Sequence, residues 1–410
     1  MMNTYDIRKD NNLVYVIPTG GLIGVNGSRM DCNIAIVVHL YYVDTLDFYI
    51  PYLTNIPDWI KLYIFSPKKE ILDYTGRKLK GRKNTKFYEK DNRGRDVSTL
   101  VVAAKDIVLQ SDFVCFIHDK SPNYMYLQKD VYEWTKGLWD NTVFSEIYID
   151  RVLQILGDNR EIGLLVPPEP HGQYVDIWTK GTWYKDYENT VALANRLKLS
   201  ADINRAKPII GCGTMFWGRT VALAKLFEYK WQYDDFPEEP MGFAGTLGHA
   251  IERILPFVAQ DAGYATGTIM TDQYISGAYS VYQEYAQTMF ELLREKEGLE
   301  DMHQVMTYHK RVEKILDFLD KYDHCYIFGA GVYGRRLLKT ILDNGRWVDG
   351  FVVSDNKRTD EEIDGLKVYE ISEITFNNEI GVVIGLHYKY KDEAEELLKS
   401  RKVPNWMYAY

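Results

Sequence analysis

The sequence predicts an α/β protein whose parallel sheets are covered by helices, in a large N-terminal unit and a smaller C-terminal one. Three observations carry this. Apolar runs at residues 34–40, 62–65 and 113–117 alternate with helix-length segments, as parallel strands joined by crossover helices do. The chain has 410 residues, enough for two or three domains. Near residue 325 the pattern begins again, with Cys325-Tyr326-Ile327-Phe328 leading into Gly329-Ala330-Gly331-Val332-Tyr333-Gly334.

Residues 1–30 read as an N-terminal extension, with a strand-like Leu13–Ile17 and a glycine-marked loop at 20–28. Asn33 to Leu40 is a buried strand, followed by a helix from 45 to about 53 and a strand at 62–65. Residues 76–86 are basic and read as a solvated loop. A short strand at 86–89, a helix over 97–110 and a strand at 113–117 complete a β-α-β-α-β series. A further strand is expected at 162–166, a strand or bend at 209–217 and a helix at 245–255. Two charged amphipathic helices follow, at 282–297 and 304–321. The expected divisions are 1–30, a domain at 31–290, a helical connector at 291–321 and a small Rossmann-like nucleotide-binding domain at 322–410.

Composition narrows the function. The hydrophobic fraction of 46% and charged fraction of 26% are those of a globular chain. A net charge of −9 argues against nucleic acid as the main partner. Cys32, Cys115, Cys212 and Cys325 lie far apart, which fits neither a zinc site nor a disulfide framework, and Cys115 and Cys325, in expected strands, read as reduced core residues. No signal peptide or membrane-length apolar run is visible, so a cytoplasmic location is expected, with any membrane contact peripheral, at the inner leaflet. The 32 Tyr and 9 Trp favour a carbohydrate ligand, since aromatic rings stack on sugar faces. The alternative is a Tyr-rich surface of the kind AT-rich genomes encode.

Two phrases frame the helix at 97–110. The first is Asp91-Asn92-Arg93-Gly94-Arg95-Asp96. Gly94 permits close backbone approach, and Arg93 or Arg95 could pair bidentately with a diphosphate. Asp96 could equally be a plain helix cap. The second is His118-Asp119-Lys120, charge that abruptly ends an apolar strand. Ligands of open α/β sheets bind at such carboxyl ends. Asp119 could help hold Mg²⁺ or Mn²⁺ against phosphate oxygens, and Lys120 could neutralise a leaving diphosphate. With one carboxylate present, metal dependence stays open; the plainer reading is a solvated strand end. Together these phrases suggest an enzyme that handles a sugar nucleotide.

A third cluster holds Glu238 and Glu239, then His249, Glu252 and Arg253. Inverting glycosyl transfer needs a carboxylate base, for which Glu239 is the first candidate and Glu238 and Glu252 the others. His249 and Arg253 share a helix face and suit a phosphate; His249 is also a candidate metal ligand. A structural Glu252–Arg253 ion pair is the alternative. In the C-terminal unit, Gly329, Gly331 and Gly334 fit a dinucleotide fingerprint, with Asp355 placed as the ribose acid. Nucleotide sensing, NAD binding and a purely structural module remain open there.

The chain resembles the rhamnan synthesis protein F family of bacterial glycosyltransferases. The resemblance rests on Ile34 to Tyr42, Asn92 to Asp96, His118-Asp119-Lys120-Ser121, Gly213 to Trp217 and Gly245 to Arg253, and covers about residues 30–280. After Lys120 the family often carries another basic residue, where this chain has Ser121-Pro122. The resemblance implies a GT-A-like fold and transfer of rhamnose from dTDP-rhamnose, or of another sugar from a UDP-sugar. It also implies a lipid-linked or growing cell-surface glycan as acceptor. The basic stretch at 78–83 is a candidate contact for anionic lipid. Two other functions compete. An NAD-dependent sugar-nucleotide oxidoreductase would need a Tyr-x-x-x-Lys-type site, and none is convincing. A non-catalytic glycan-binding scaffold would survive loss of Asp119. Oligomeric state is not legible.

Overall fold

The computed structural model describes residues 13–20, 32–120, 128–168, 183, 186–203, 213–240, 245–297 and 302–409. The chain divides into two compact units, 1–281 and 282–410. The first opens with β1 (Leu13–Ile17) and β2 (Ile34–His39). All six residues of β2 are buried, which suits a β-branched strand packed on both faces. α1 (Leu46–Thr54), β3 (Lys61–Ser66), α2 (Lys69–Lys78) and β4 (Thr85–Glu89) follow. A single turn, α3 (Arg95–Ser98), runs through a π turn at Thr99–Ala103 into α4 (Lys105–Leu109) and then β5 (Phe113–His118). Next come α5 (Gln128–Val143), α6 (Glu146–Asp158), β6 (Ile162–Val166) and α7 (Tyr187–Arg196). Ser145 caps α6 by accepting the Tyr148 N–H at 3.3 Å. β7 (Phe216–Arg219), α8 (Ala224–Phe227), α9 (Leu247–Asp261), β8 (Ala265–Thr271) and α10 (Asp272–Glu297) complete the series.

The eight strands lie in the order β1-β8-β6-β7-β5-β2-β3-β4. Pairings are parallel except at β7, which is antiparallel to both β5 and β6. The chain steps from β2 outward to β3 and β4, then returns to place β5 on the other side of β2. That reversal is a topological switch point, the crevice where open α/β sheets bind ligands. Ile36 and Val38 pack with Trp139, Tyr148 and Trp217 on one face. Val37 and Phe116 pack with Leu100 and Ile251 on the other.

Several expectations are corrected. The segment read as an N-terminal extension contributes β1, which pairs in parallel with β8. The sheet is mixed rather than wholly parallel, because β7 enters between β5 and β6. The helix expected over 97–110 is interrupted: the Ala104 N–H bonds the Thr99 carbonyl at 2.8 Å, five residues back. The resulting π turn sets the Thr99 hydroxyl 2.9 Å from His39 Nδ1. In the basic stretch, α2 extends through Lys78. The Arg82 guanidinium donates to the Pro57 carbonyl at 2.9 Å and the Thr85 hydroxyl at 2.8 Å, so it braces the chain.

The second unit contains α11 (Met302–Leu319), β9 (His324–Phe328), α12 (Val332–Asp343) and β10 (Gly350–Val353). It continues through β11 (Glu362–Ile363), β12 (Leu366–Glu370), β13 (Ile380–Ile384), α13 (Lys391–Ser400) and β14 (Trp406–Tyr408). Its sheet order is β11-β12-β10-β9-β13-β14, parallel apart from the β11–β12 pair. α11 buries Ile315 and Leu319 in this core, so the segment read as a connector belongs to the unit. No helix among the described residues is long and apolar enough to cross a membrane.

Candidate active site

The switch point is built from the carboxyl ends of β2 and β5. His39 and His118, the last residues of the two strands, sit side by side in register. One residue on, Asp119 reaches across to the chain leaving β2. Its Oδ2 accepts the backbone N–H groups of Tyr41 at 2.6 Å and Tyr42 at 2.7 Å. Its Oδ1 is buried with no hydrogen-bond partner. Burial, and secondarily the charge of Asp96, push the Asp119 carboxyl up to about 7 against the pull of the two amides. A carboxyl that titrates near neutrality and holds one free buried oxygen is suited to take a proton or a cation.

His118 is bonded on both sides. Its Nδ1 lies 2.8 Å from the Asp119 carbonyl and its Nε2 lies 2.7 Å from the Gly213 carbonyl. The Asp96 carboxylate lies 3.5 Å from the same Nε2. Both carbonyls are acceptors, so the ring satisfies both only when it carries two protons. Burial pulls its pKa down, while Asp96 and the carbonyls oppose that pull. Asp96 is not the cap of its helix, for Gly94 occupies that position. Burial raises the Asp96 pKa, but His118, His39 and Lys120 outweigh it and leave the group below its ordinary value. Lys120 lays its ammonium 4.3 Å from the centre of the Trp134 ring. Ser121 lies outside the described residues.

A lysine that sequence reasoning passed over completes the cluster. Lys90, 8% exposed, follows β4. Its ammonium donates to the Arg95 carbonyl and the Ser98 hydroxyl, each at 2.7 Å. Burial lowers its pKa to about 8 despite the nearby Asp96, Asp91 and Glu239. Its position just past a strand end was the available signal.

The 92–96 turn is fastened from outside. Gly94 stands at φ +72°, and a Cβ there would lie 2.6 Å from Phe236 Cγ. Left-handed backbone and overpacking together predict that Gly94→Ala loses roughly 2–4 kcal/mol. Urea unfolding tests this, and an unchanged midpoint would contradict it. Arg93 donates to the Phe236 carbonyl at 2.8 Å and to Asp234 at 2.7 Å. Arg95 lies 3.4 Å from Glu239. Either arginine would have to leave these partners to hold a diphosphate. Asn92 and Glu238 are exposed.

On the far side of His118, Gly213 stands at φ +106° and Thr214 at φ +56°, a region that β-branched residues avoid. The Thr214 hydroxyl donates to Glu252 at 2.9 Å, and Glu252 pairs with Arg253. Arg253 also lies 3.8 Å from Asp186, a second residue passed over, which is 1% exposed and accepts the Gly245 N–H at 2.7 Å. His249 is hydrogen-bonded to Thr246 at 2.7 Å, and burial lowers its pKa. Among the described residues no three His, Cys, Asp or Glu side chains gather to hold a metal ion. An ion on the free oxygen of Asp119 would draw its other ligands from phosphate and water.

In the C-terminal unit, Gly329 stands at φ +107° and a Cβ on Gly334 would lie 1.8 Å from the Gly329 carbonyl oxygen, whereas one on Gly331 meets nothing within 4 Å. Asp355, expected as a ribose acid, accepts the Ser372 N–H at 3.1 Å and is ion-paired with Arg401. Cys212, Met241 and Gly242 lie outside the described residues. Cys32, Cys115 and Cys325 are not in disulfides, and the last two are buried.

With this geometry in view, the profile of the rhamnan synthesis protein F family matches residues 3–264, well over half of the chain. The chain belongs to the rhamnan synthesis protein F family. The match contains β1 to β7 and every residue of the switch-point cluster. Among curated proteins, the chain is similar to the uncharacterized protein WxcX in two strains of Xanthomonas campestris pathovar campestris. Identity to each is 22% over 236 residues, 57% of this chain. The matched region spans 32% of the length of each relative, about a third.

Proposed function

We propose that this family member is a glycosyltransferase with a GT-A-like N-terminal unit. It moves a sugar, best assigned as rhamnose from dTDP-rhamnose, onto a lipid-linked or growing cell-surface polysaccharide. The observation that carries this is the Asp119 carboxyl at the switch point, with one buried oxygen free, ringed by Asp96, His118 and Lys120. Such a crevice suits a nucleotide diphosphate. Lys120 neutralises charge on the leaving diphosphate, and Asp119 orients it, directly or through Mg²⁺ or Mn²⁺. Glu239 takes the proton of the acceptor hydroxyl. Glu252 is the weaker choice, already occupied by Thr214 and Arg253. Asn92 and Asp96 lie towards the nucleoside, and His249 and Arg253 line the diphosphate or acceptor side. An NAD-dependent reading would need Asp355 for ribose, and that carboxylate already has Arg401 and Ser372.

The test is a thermal-shift and hydrolysis screen with dTDP-rhamnose, UDP-sugars, GDP-sugars and NAD(H), with and without Mn²⁺ or Mg²⁺. One sugar nucleotide is expected to shift the melting point and to be hydrolysed slowly, with both effects lost in Asp119→Ala. A response to NAD(H) alone, removed by Gly331→Val, would overturn the assignment.

A further inference from the structure

A second cavity lies beside the cluster, at the carboxyl ends of β6 and β8. Its volume is about 210 Å³, and Trp134, Glu133, Lys136, Asp140, Gln273 and Tyr274 line it. Sites for drug-sized ligands run from roughly 300 to 1,000 Å³, so this one holds a single ring rather than a chain. It adjoins the switch point through Trp134, the ring that carries the Lys120 ammonium. A Cβ on Gly213, whose carbonyl faces His118, would lie 3.7 Å from that same indole.

The walls are α5 and the start of α10, and they are locked together. Asn141 Oδ1 accepts the Thr271 N–H at 2.7 Å and the Thr271 hydroxyl at 3.2 Å, and the Thr271 hydroxyl accepts the Tyr274 N–H at 3.1 Å. Each wall also carries a glycine in mid-helix, Gly137 and Gly277, both lining the cavity. A mid-helix glycine costs about 1 kcal/mol relative to alanine. Packing demands glycine at neither position: a Cβ on Gly137 would make only an ordinary contact with Tyr274, at 3.6 Å, and one on Gly277 would meet nothing within 4 Å. Open space is what that position provides.

We propose that this cavity seats one neutral sugar ring, the residue of the acceptor glycan that receives the transferred sugar. Trp134 and Tyr274 supply ring faces, while Glu133, Asp140 and Gln273 supply hydrogen-bonding groups for hydroxyls. Asp140 is held in place by Lys136 and by the Tyr52 hydroxyl at 2.6 Å. The two carboxylates disfavour a diphosphate and leave that charge to the Lys120 side. The assignment to the acceptor rests on the glycosyltransferase reading; the sugar site itself does not.

Saturation-transfer NMR with p-nitrophenyl glycosides of rhamnose, glucose, galactose and N-acetylglucosamine tests it on the full chain. At least one glycoside is expected to bind wild type, to bind Gly277→Ala equally, and to bind Gly277→Leu at least tenfold more weakly. The melting point of Gly277→Leu should not fall, since leucine favours the helix. The donor thermal shift should persist in Gly277→Leu and be lost in Asp119→Asn, whose glycoside binding is retained. Glycoside binding that follows Gly277 while no sugar nucleotide binds would keep the sugar site and sink the transferase reading. No glycoside binding to wild type, or equal binding to Gly277→Leu, overturns the inference. Loss of the donor shift in Gly277→Leu would assign the cavity to the donor sugar and overturn the acceptor assignment.

Discussion

Asp119→Asn is expected to leave the protein folded and to lower kcat/KM for glycosyl transfer by roughly 10²–10³-fold, the usual cost of removing one preorganised electrostatic group. Asparagine keeps an acceptor for the Tyr41 and Tyr42 amides, which Asp119 now holds at 2.6 and 2.7 Å. It removes the charge and the free acid oxygen. Alanine would in addition remove the acceptor of two part-buried N–H groups, at up to about 1–3 kcal/mol each. The same substitution carries a pH signature. The folded Asp119 pKa is raised from 3.8 to about 7, chiefly by burial. Between those values the folded state binds the proton that the unfolded state has released, so this group's contribution to stability falls as pH rises. The shift corresponds to about 4 kcal/mol, present in full below pH 4 and gone above pH 7. Asp119→Asn should therefore gain on wild type in urea unfolding between pH 4 and pH 7. Parallel midpoints across that window would show that the carboxyl is not perturbed.

Lys90→Met is expected to cost about 3–5 kcal/mol at pH 7, because it leaves buried partners without their cation. The Arg95 carbonyl and Ser98 hydroxyl lose the donor now 2.7 Å away, and the Gly94 turn loses its inner brace. Here the pH dependence has the opposite sign. Burial lowers the Lys90 pKa from 10.5 to about 8. Between those values the unfolded chain binds the proton that the folded chain has shed, so wild type gains stability from this group as pH rises. The deficit of Lys90→Met relative to wild type should widen from pH 8 to pH 10. A variant that unfolds at the wild-type urea concentration would show that Lys90 braces nothing.

Much of the fold was readable in local pattern. Apolar runs such as Ile34–His39 and Phe113–His118 announced buried parallel strands, and charge directly after Ile117 marked a carboxyl end. β7 was harder: a four-residue strand with three residues buried by their neighbours carries little period of its own. β1 was seen as a strand but not as part of the sheet, because its partner lies some 250 residues away at 265–271. Within the site, His118, Asp119 and Asp96 were named from their places around strand ends. Lys90 and Asp186 were not, because a lone lysine or aspartate has no signature until burial shows that its charge must be matched.

The sequence by itself determined the α/β class, the tandem units, the strand ends that carry charge and the family resemblance. These depend on residues near one another in the chain, where periodicity and turn chemistry act. Tertiary structure alone decided which groups share a charge environment. It set Asp96 against His118, bound Arg93 and Arg95 to the 234–239 loop, left one Asp119 oxygen unpartnered and opened the cavity beside Trp134. The reason is physical: pKa values and hydrogen-bond partners depend on distance and desolvation, which chain spacing does not encode.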